Sequence, residues 1–216
     1  MKKYIYYLVI LISILLCSIY NISAQSFVPL MGKLVVVDPG HGGADPGTVF
    51  GDIYEKDINL KISRFLKNEL EKYGASIIMT REDDYDLSRP NAVYRKKSDF
   101  DNRIRLINQS KADIYISIHL NYLDDASYFG PQVFYNKGNQ KLAEHLQKKL
   151  NNYTTTDRNI KLIPTDTYMY SRLNLPGILI ECGFLSNMNE RNRLITTTYQ
   201  QKLAEIIAQG IVTYFT

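Results

Sequence analysis

Two histidines and two glutamates stand where apolar runs give out: His41 in VVVDPGHGG, Glu55 in YEKDINLKI, His119 in ISIHLN and Glu181 in ILIECGFLSN. Two neutral imidazoles and one carboxylate form a three-ligand zinc shell with a fourth position open to water, and a further carboxylate beside it can move protons. The chemistry such a set supports is hydrolysis. Pro39, Gly40, Gly42 and Gly43 supply the tight turn that aims His41 at whatever approaches from the other strand ends.

Each residue also has an ordinary structural reading. His145, the third of three histidines, lies among Leu142, Leu146 and Lys149 at helical spacing and reads as structural. Asp52, Glu55 and Asp57 compete as the carboxylate nearest the loop; an acid in a first helical turn is favoured by the helix dipole with or without metal, so spacing leaves the three open. Glu181 follows Ile178, Leu179 and Ile180, where a carboxylate needs a partner or a task. A salt bridge to Arg81 is the structural option; the chemical one is a general base whose pKa burial has raised. Cys182 alternates to the opposite face of that strand and reads as a packed thiol.

The elements that must position these groups alternate. Strands are expected at Leu34–Asp38, Ser76–Thr80, Ile114–His119, Gln132–Tyr135, Tyr168–Ser171 and Gly177–Glu181. Helices are expected through Ile58, Ile62, Phe65, Leu66 and Leu70, ended by Gly74, and at Asp99–Ser110, Lys141–Leu150 and Thr198–Phe215. This rhythm predicts an α/β single-domain sandwich with a largely parallel central sheet flanked by helices. Ligands of such sheets bind at the carboxyl ends of strands, where His41, His119 and Glu181 fall. Glu82–Lys97, EDDYDLSRPNAVYRKK, breaks the rhythm and reads as an exposed loop, either a solvated insert or a lip over the site.

The chain has 216 residues, enough for one domain and a leader. Lys2 and Lys3 precede an uncharged stretch from Tyr4 to Gln25, the pattern of an export signal, cleaved near Ile22-Ser23-Ala24 or retained as a membrane anchor. Leu16 before Cys17 disfavours a lipidation signal. The expected division is a leader over residues 1–25, a linker over 26–32 and a catalytic domain over 33–216. Lys2 and Lys3 account for two of the four net positive charges, which leaves +2 on the rest, too little to imply a nucleic-acid partner. With Cys17 in the leader, Cys182 has no disulfide partner.

The motifs VVVDPGHGG, YEKDINLKI, MTRED, SKADIYISIHLN and PGILIECGFLSN, in that order and across residues 33–216, resemble the zinc-dependent N-acetylmuramoyl-L-alanine amidases of amidase type 3. The resemblance implies one zinc ion on His41, Glu55 and His119, choosing Glu55 over Asp52 and Asp57, with Glu181 catalytic. Asn121 and Arg81 become candidates for orienting ligands or substrate. The implied substrate is the amide joining N-acetylmuramic acid to L-alanine on a peptidoglycan strand with its stem peptide. Within the family the likeness is to the germination-specific subgroup of endospore formers, which implies cleavage that prepares muramic-δ-lactam in spore cortex; with the leader, the expected location is the cell envelope or forespore intermembrane space, and an activating envelope protein is a candidate partner that the residues leave open. The competing expectations are a vegetative autolysin or cell-separation amidase and a catalytically silent wall-binding protein.

Overall fold

The computed structural model describes residues 2–22, 28–136 and 138–216, with side chains of the first helix described through residue 15. In chain order the elements are α1 (Lys2–Ile22), β1 (Leu34–Pro39), β2 (Val49–Phe50), β3 (Ile53–Tyr54), α2 (Glu55–Lys72), β4 (Ser76–Met79), α3 (Arg95–Gln109), β5 (Ile114–Asn121), β6 (Gln132–Tyr135), α4 (Gln140–Thr154), β7 (Lys161–Leu162), a single 3-10 turn (Tyr170–Arg172), β8 (Gly177–Phe184), α5 (Met188–Leu194) and α6 (Thr197–Phe215). The large sheet has the order β4-β1-β5-β8-β6-β7. All its pairs are parallel except β6 with β8. The expected α/β sandwich with a largely parallel sheet is therefore the fold.

Alternation along the strands builds two unequal faces. Val35 and Val37, Ile114, Ile116 and Ile118, and Ile178, Ile180 and Cys182 point to a core completed by α2, α4 and α6 through Ile62 and Leu66, Leu142 and Leu146, and Leu203 and Ile207. Each such side chain is worth roughly 1.5–3 kcal/mol on burial. The other face carries a smaller cluster: Val36, Tyr115 and Ile107 of α3 with Ile163, Met169 and Tyr170. His119 and Glu181 belong to this thinly covered face, and β5–β8 register sets them side by side. Cys182, one residue on, is fully buried on the opposite face as expected.

Several expectations need correcting. Tyr168–Ser171 is not a strand; the segment makes only the 3-10 turn at Tyr170–Arg172. Both edges of β8 are taken by β5 and β6, so this segment cannot pair beside the strand that follows it. The third helix starts at Arg95 rather than Asp99, which shortens the predicted loop. Arg95 pairs with Asp86, and Lys96 lies 3.5 Å from Asp45, so acids offset the cost of basic residues in a helical first turn. Strands β5 and β8 run past His119 and Glu181 to Asn121 and Phe184. The cleavage site around Ser23 and Ala24, the first residues of the linker and the Cys17 side chain lie outside the described residues. Among those described, no helix is long and apolar enough to cross a membrane.

Arg103 of α3 ties the open face together. Its guanidinium donates to Asp38 Oδ1 at 2.6 Å, Asp99 Oδ2 at 2.9 Å, and the carbonyls of Pro39 at 2.8 Å and His41 at 2.6 Å. All three charged groups are buried, Asp38 and Arg103 to 1% exposure. Removing the cation strands two buried carboxylates. Arg103→Met should cost the metal-free protein about 3–5 kcal/mol in urea unfolding; a wild-type midpoint would show that the pair holds nothing in place.

Candidate active site

The turn after β1 delivers His41. Gly40 is required because a Cβ there would lie 2.2 Å from the His119 ring. His41 itself adopts a left-handed φ of 62°, unusual for a residue with a side chain. What holds it there is beneath the turn: Arg103 on the Pro39 and His41 carbonyls, and Arg81, which donates to Pro39 O at 3.1 Å, Gly40 O at 3.0 Å and Lys56 O at 2.8 Å. Arg81 is fully buried, and burial beside Arg103 lowers its pKa to about 10.

Glu55 arrives from the other side as the first residue of α2. The β2–β3 hairpin closes between Thr48 and Glu55, whose backbone nitrogen donates to Thr48 O at 2.9 Å. Its carboxylate is almost saturated: Oε2 accepts from Thr48 N at 2.8 Å, and Oε1 from Leu120 N at 3.0 Å and Asn59 Nδ2 at 3.2 Å. Gly47 leaves room for it, since a Cβ there would meet Glu55 Oε2 and the His41 ring at 2.7 Å each. Asp52 is exposed and Asp57 half-buried, and neither belongs to the cluster.

The ligating atoms converge. Glu55 Oε1 lies 3.2 Å from His41 Nε2 and 3.1 Å from His119 Nδ1, with all three donor atoms within 4.8 Å of one another. Bonds of about 2.05 Å at tetrahedral angles would set ligand atoms about 3.3 Å apart, so this N, N, O set fits a single zinc-sized ion. His41 Nδ1 is held by Asp45 Oδ2 at 3.0 Å and His119 Nε2 by Tyr170 OH at 3.3 Å.

Electrostatics follow from these contacts. Burial alone would lower the His41 pKa, but hydrogen bonds to Asp45 and Glu55 outweigh it and raise it to about 9. Burial alone would raise that of Glu55, and the His119 and His41 hydrogen bonds reverse it, holding the carboxyl well below its ordinary value. Hydrogen bonding from His41 likewise depresses Asp45. Glu181 is different: burial raises its pKa to about 7, and its Oε2 is buried with no partner. No salt bridge joins it to Arg81 among the described residues.

The structure thus brings together His41, Glu55, His119 and Glu181. Arg81 lies under the turn as a backbone clamp, and Asn121 ends β5 with its Oδ1 accepting from Tyr122 N at 2.8 Å. His145 is half-buried on α4. Sequence reading missed Asp45, Asn59 and Tyr170. Asp45 had a usable signal, an acid four residues after the loop histidine; Tyr170 had none, because its segment read as a strand.

Known relatives match most of the chain. A family model described as N-acetylmuramoyl-L-alanine amidase matches residues 35–213. The chain is 42% identical over 195 residues to the germination-specific N-acetylmuramoyl-L-alanine amidase of Bacillus subtilis (strain 168), a match spanning 87% of this chain and 82% of that protein. It is 30% identical over 193 residues to N-acetylmuramoyl-L-alanine amidase LytC of the same organism, 87% of this chain but only 36% of LytC. The solved CwlD amidase from Clostridioides difficile, in complex with the GerS lipoprotein, superposes with a TM-score of 0.80 at 37% identity, over 85% of this chain and 98% of that one.

Two measurements test this geometry. Gly40→Ala should displace the His119 ring and weaken zinc binding in chelator competition, whereas a mere turn glycine would lose stability without losing affinity. The raised Glu181 pKa carries a sign: the fold keeps this proton where the unfolded chain has lost it, so Glu181 costs stability as pH rises from about 4.5 to about 7. In the metal-free protein, Glu181→Gln should be more stable than wild type at pH 8 and not at pH 4. Equal differences at both would contradict it.

Proposed function

We propose that this chain, which belongs to the N-acetylmuramoyl-L-alanine amidase family, holds one zinc ion on His41, Glu55 and His119 and moves protons with Glu181. The family's reaction is hydrolysis of the amide between N-acetylmuramic acid and L-alanine, and its substrate is peptidoglycan. One observation carries the assignment of residues: Glu55 Oε1 sits between His41 Nε2 and His119 Nδ1, and the only described carboxylate beside them with an unpartnered buried oxygen is Glu181.

When bound, the metal would supply the Lewis acidity that makes an attacking water acidic near neutral pH and polarises the scissile carbonyl. Glu181 supplies the proton path. Its free Oε2 accepts a proton from the attacking water as the carbon–oxygen bond forms, then returns it to the alanine nitrogen as the carbon–nitrogen bond breaks. Burial, which raises the Glu181 pKa above the ordinary carboxylate range, suits a group that must take the proton and give it back. Gly40 and Gly47 keep space beside the ligands, and the thin cover of this sheet face leaves it open to a polymeric substrate.

Action on spore cortex, removing stem peptides so that muramic-δ-lactam can form, is the finer reading. The match to the germination-specific amidase across 82% of its length supports it, while LytC is matched over only 36%. Residues 33–216 form the catalytic domain in this reading, working outside the cytoplasmic membrane after export. The complex of the Clostridioides difficile relative with the GerS lipoprotein supports an envelope lipoprotein as partner.

Two experiments decide the matter. Glu181→Gln should keep one zinc per chain while cleavage falls about 100- to 10,000-fold; a variant that cleaves like wild type removes Glu181 from the mechanism. Zinc-loaded protein incubated with purified spore-cortex peptidoglycan should release peptides and leave peptide-free muramic acid. Cleavage of vegetative walls in preference to cortex would replace the spore role with wall turnover in growing cells.

A further inference from the structure

The ring of His119 is the last link in a buried chain of hydrogen bonds that begins at an ion pair. Arg103 Nη1 donates to Asp38 Oδ1 at 2.6 Å, and Thr80 Oγ1 donates to the same oxygen at 2.6 Å. Ser117 Oγ lies 2.8 Å from Asp38 Oδ2, Tyr170 OH lies 3.0 Å from Ser117 Oγ, and His119 Nε2 lies 3.3 Å from Tyr170 OH. Asp38 and Ser117 are fully buried and Tyr170 nearly so, which leaves little access for water to supply other partners.

Counting hydrogens fixes the direction of every link. Asp38, paired with Arg103, is a carboxylate and can only accept, so the single Ser117 hydrogen goes to it. Ser117 can then only accept from Tyr170, which uses the single Tyr170 hydrogen. Tyr170 has only lone pairs left for His119, so Nε2 must carry the proton and donate. In the neutral ring that a metal would bind, a proton on Nε2 leaves the Nδ1 lone pair available on the side of Glu55.

We propose that Ser117 and Tyr170 are positioning residues that transmit the polarity of the Arg103–Asp38 pair to His119, protonating Nε2 and offering Nδ1 to the metal. The inference rests on the ligand set proposed above and assigns it atoms. His41 takes the opposite arrangement: Nδ1–H donates to Asp45 and Nε2 faces Glu55. The two imidazoles therefore bind through different nitrogens, each fixed by a carboxylate, directly for His41 and through two hydroxyls for His119. Without its acceptor, the His119 ring could place its proton on Nδ1, where Glu55 Oε1 would take it and block ligation.

The test uses the full chain and reads nitrogen chemistry rather than turnover. In cadmium-substituted protein, NMR should show metal–nitrogen coupling at His119 Nδ1 with a proton on Nε2, and the reverse at His41. Coupling at His119 Nε2 would overturn the proposal. Tyr170→Phe removes the acceptor; Ser117→Ala, which does not touch His119, frees the Tyr170 hydrogen to point at Nε2. Both should weaken zinc binding about 10- to 100-fold in chelator competition. Wild-type affinity in both variants would also overturn it, and where a variant fails to fold, the coupling in the wild-type chain decides. Zinc affinity that survives His41→Ala and Glu55→Ala would defeat the ligand set itself, a different failure from metal on the wrong His119 nitrogen.

Discussion

The buried pair between Arg103 and Asp38 is the constraint on which the rest of this site depends. One guanidinium neutralises Asp38 and Asp99 and also takes up the carbonyls of Pro39 and His41. A turn that must hold a histidine at positive φ, with glycines on either side, has little intrinsic preference for that shape. The two buried arginines, 103 and 81, satisfy its carbonyls from below and so determine it. The same charge pair sets the direction of the hydroxyl chain to His119, so both imidazoles answer to one ion pair.

The unequal covering of the sheet explains how a stable domain keeps an open site. Three helices bury one face with aliphatic side chains, and that face carries the stability. The other face has α3 and a short turn over it, leaving His119 and Glu181 adjacent in register near the carboxyl ends of their strands. Alternation makes the division sharp at Glu181 and Cys182, whose consecutive side chains face the open site and the packed core. The near-saturated Glu55 and the unpartnered Glu181 then differ for a local reason: one receives backbone and amide donors, the other receives only burial.

Much of this was legible in the residues. Period-two and helical apolar spacing gave the α/β alternation, and the strand-end positions of His41, His119 and Glu181 pointed to one edge of the sheet. Glu55 was not separable from Asp52 and Asp57 by spacing, because what selects it is the hairpin that closes at Thr48. Tyr170 was hidden because an aromatic, apolar run reads as a strand until the neighbours of β8 are known. The start of α3 was hidden because Arg95, Lys96 and Lys97 look like solvent-loop residues; their acid partners come from residues 45, 86 and 101. Specific pairing between residues, in a hairpin, across the sheet or at a helix start, decided each of these cases rather than propensity.

In the proposed site, one zinc ion is held by His41, Glu55 and His119 while Glu181 stands beside it as a base. Anomalous diffraction at the zinc edge from crystals of zinc-loaded protein tests this most directly. A single peak is expected, bonded to Glu55 Oε1, His41 Nε2 and His119 Nδ1, with the Glu181 carboxylate near but not bonded. A peak that takes Glu181 as a ligand, or that lies away from Glu55, would contradict it.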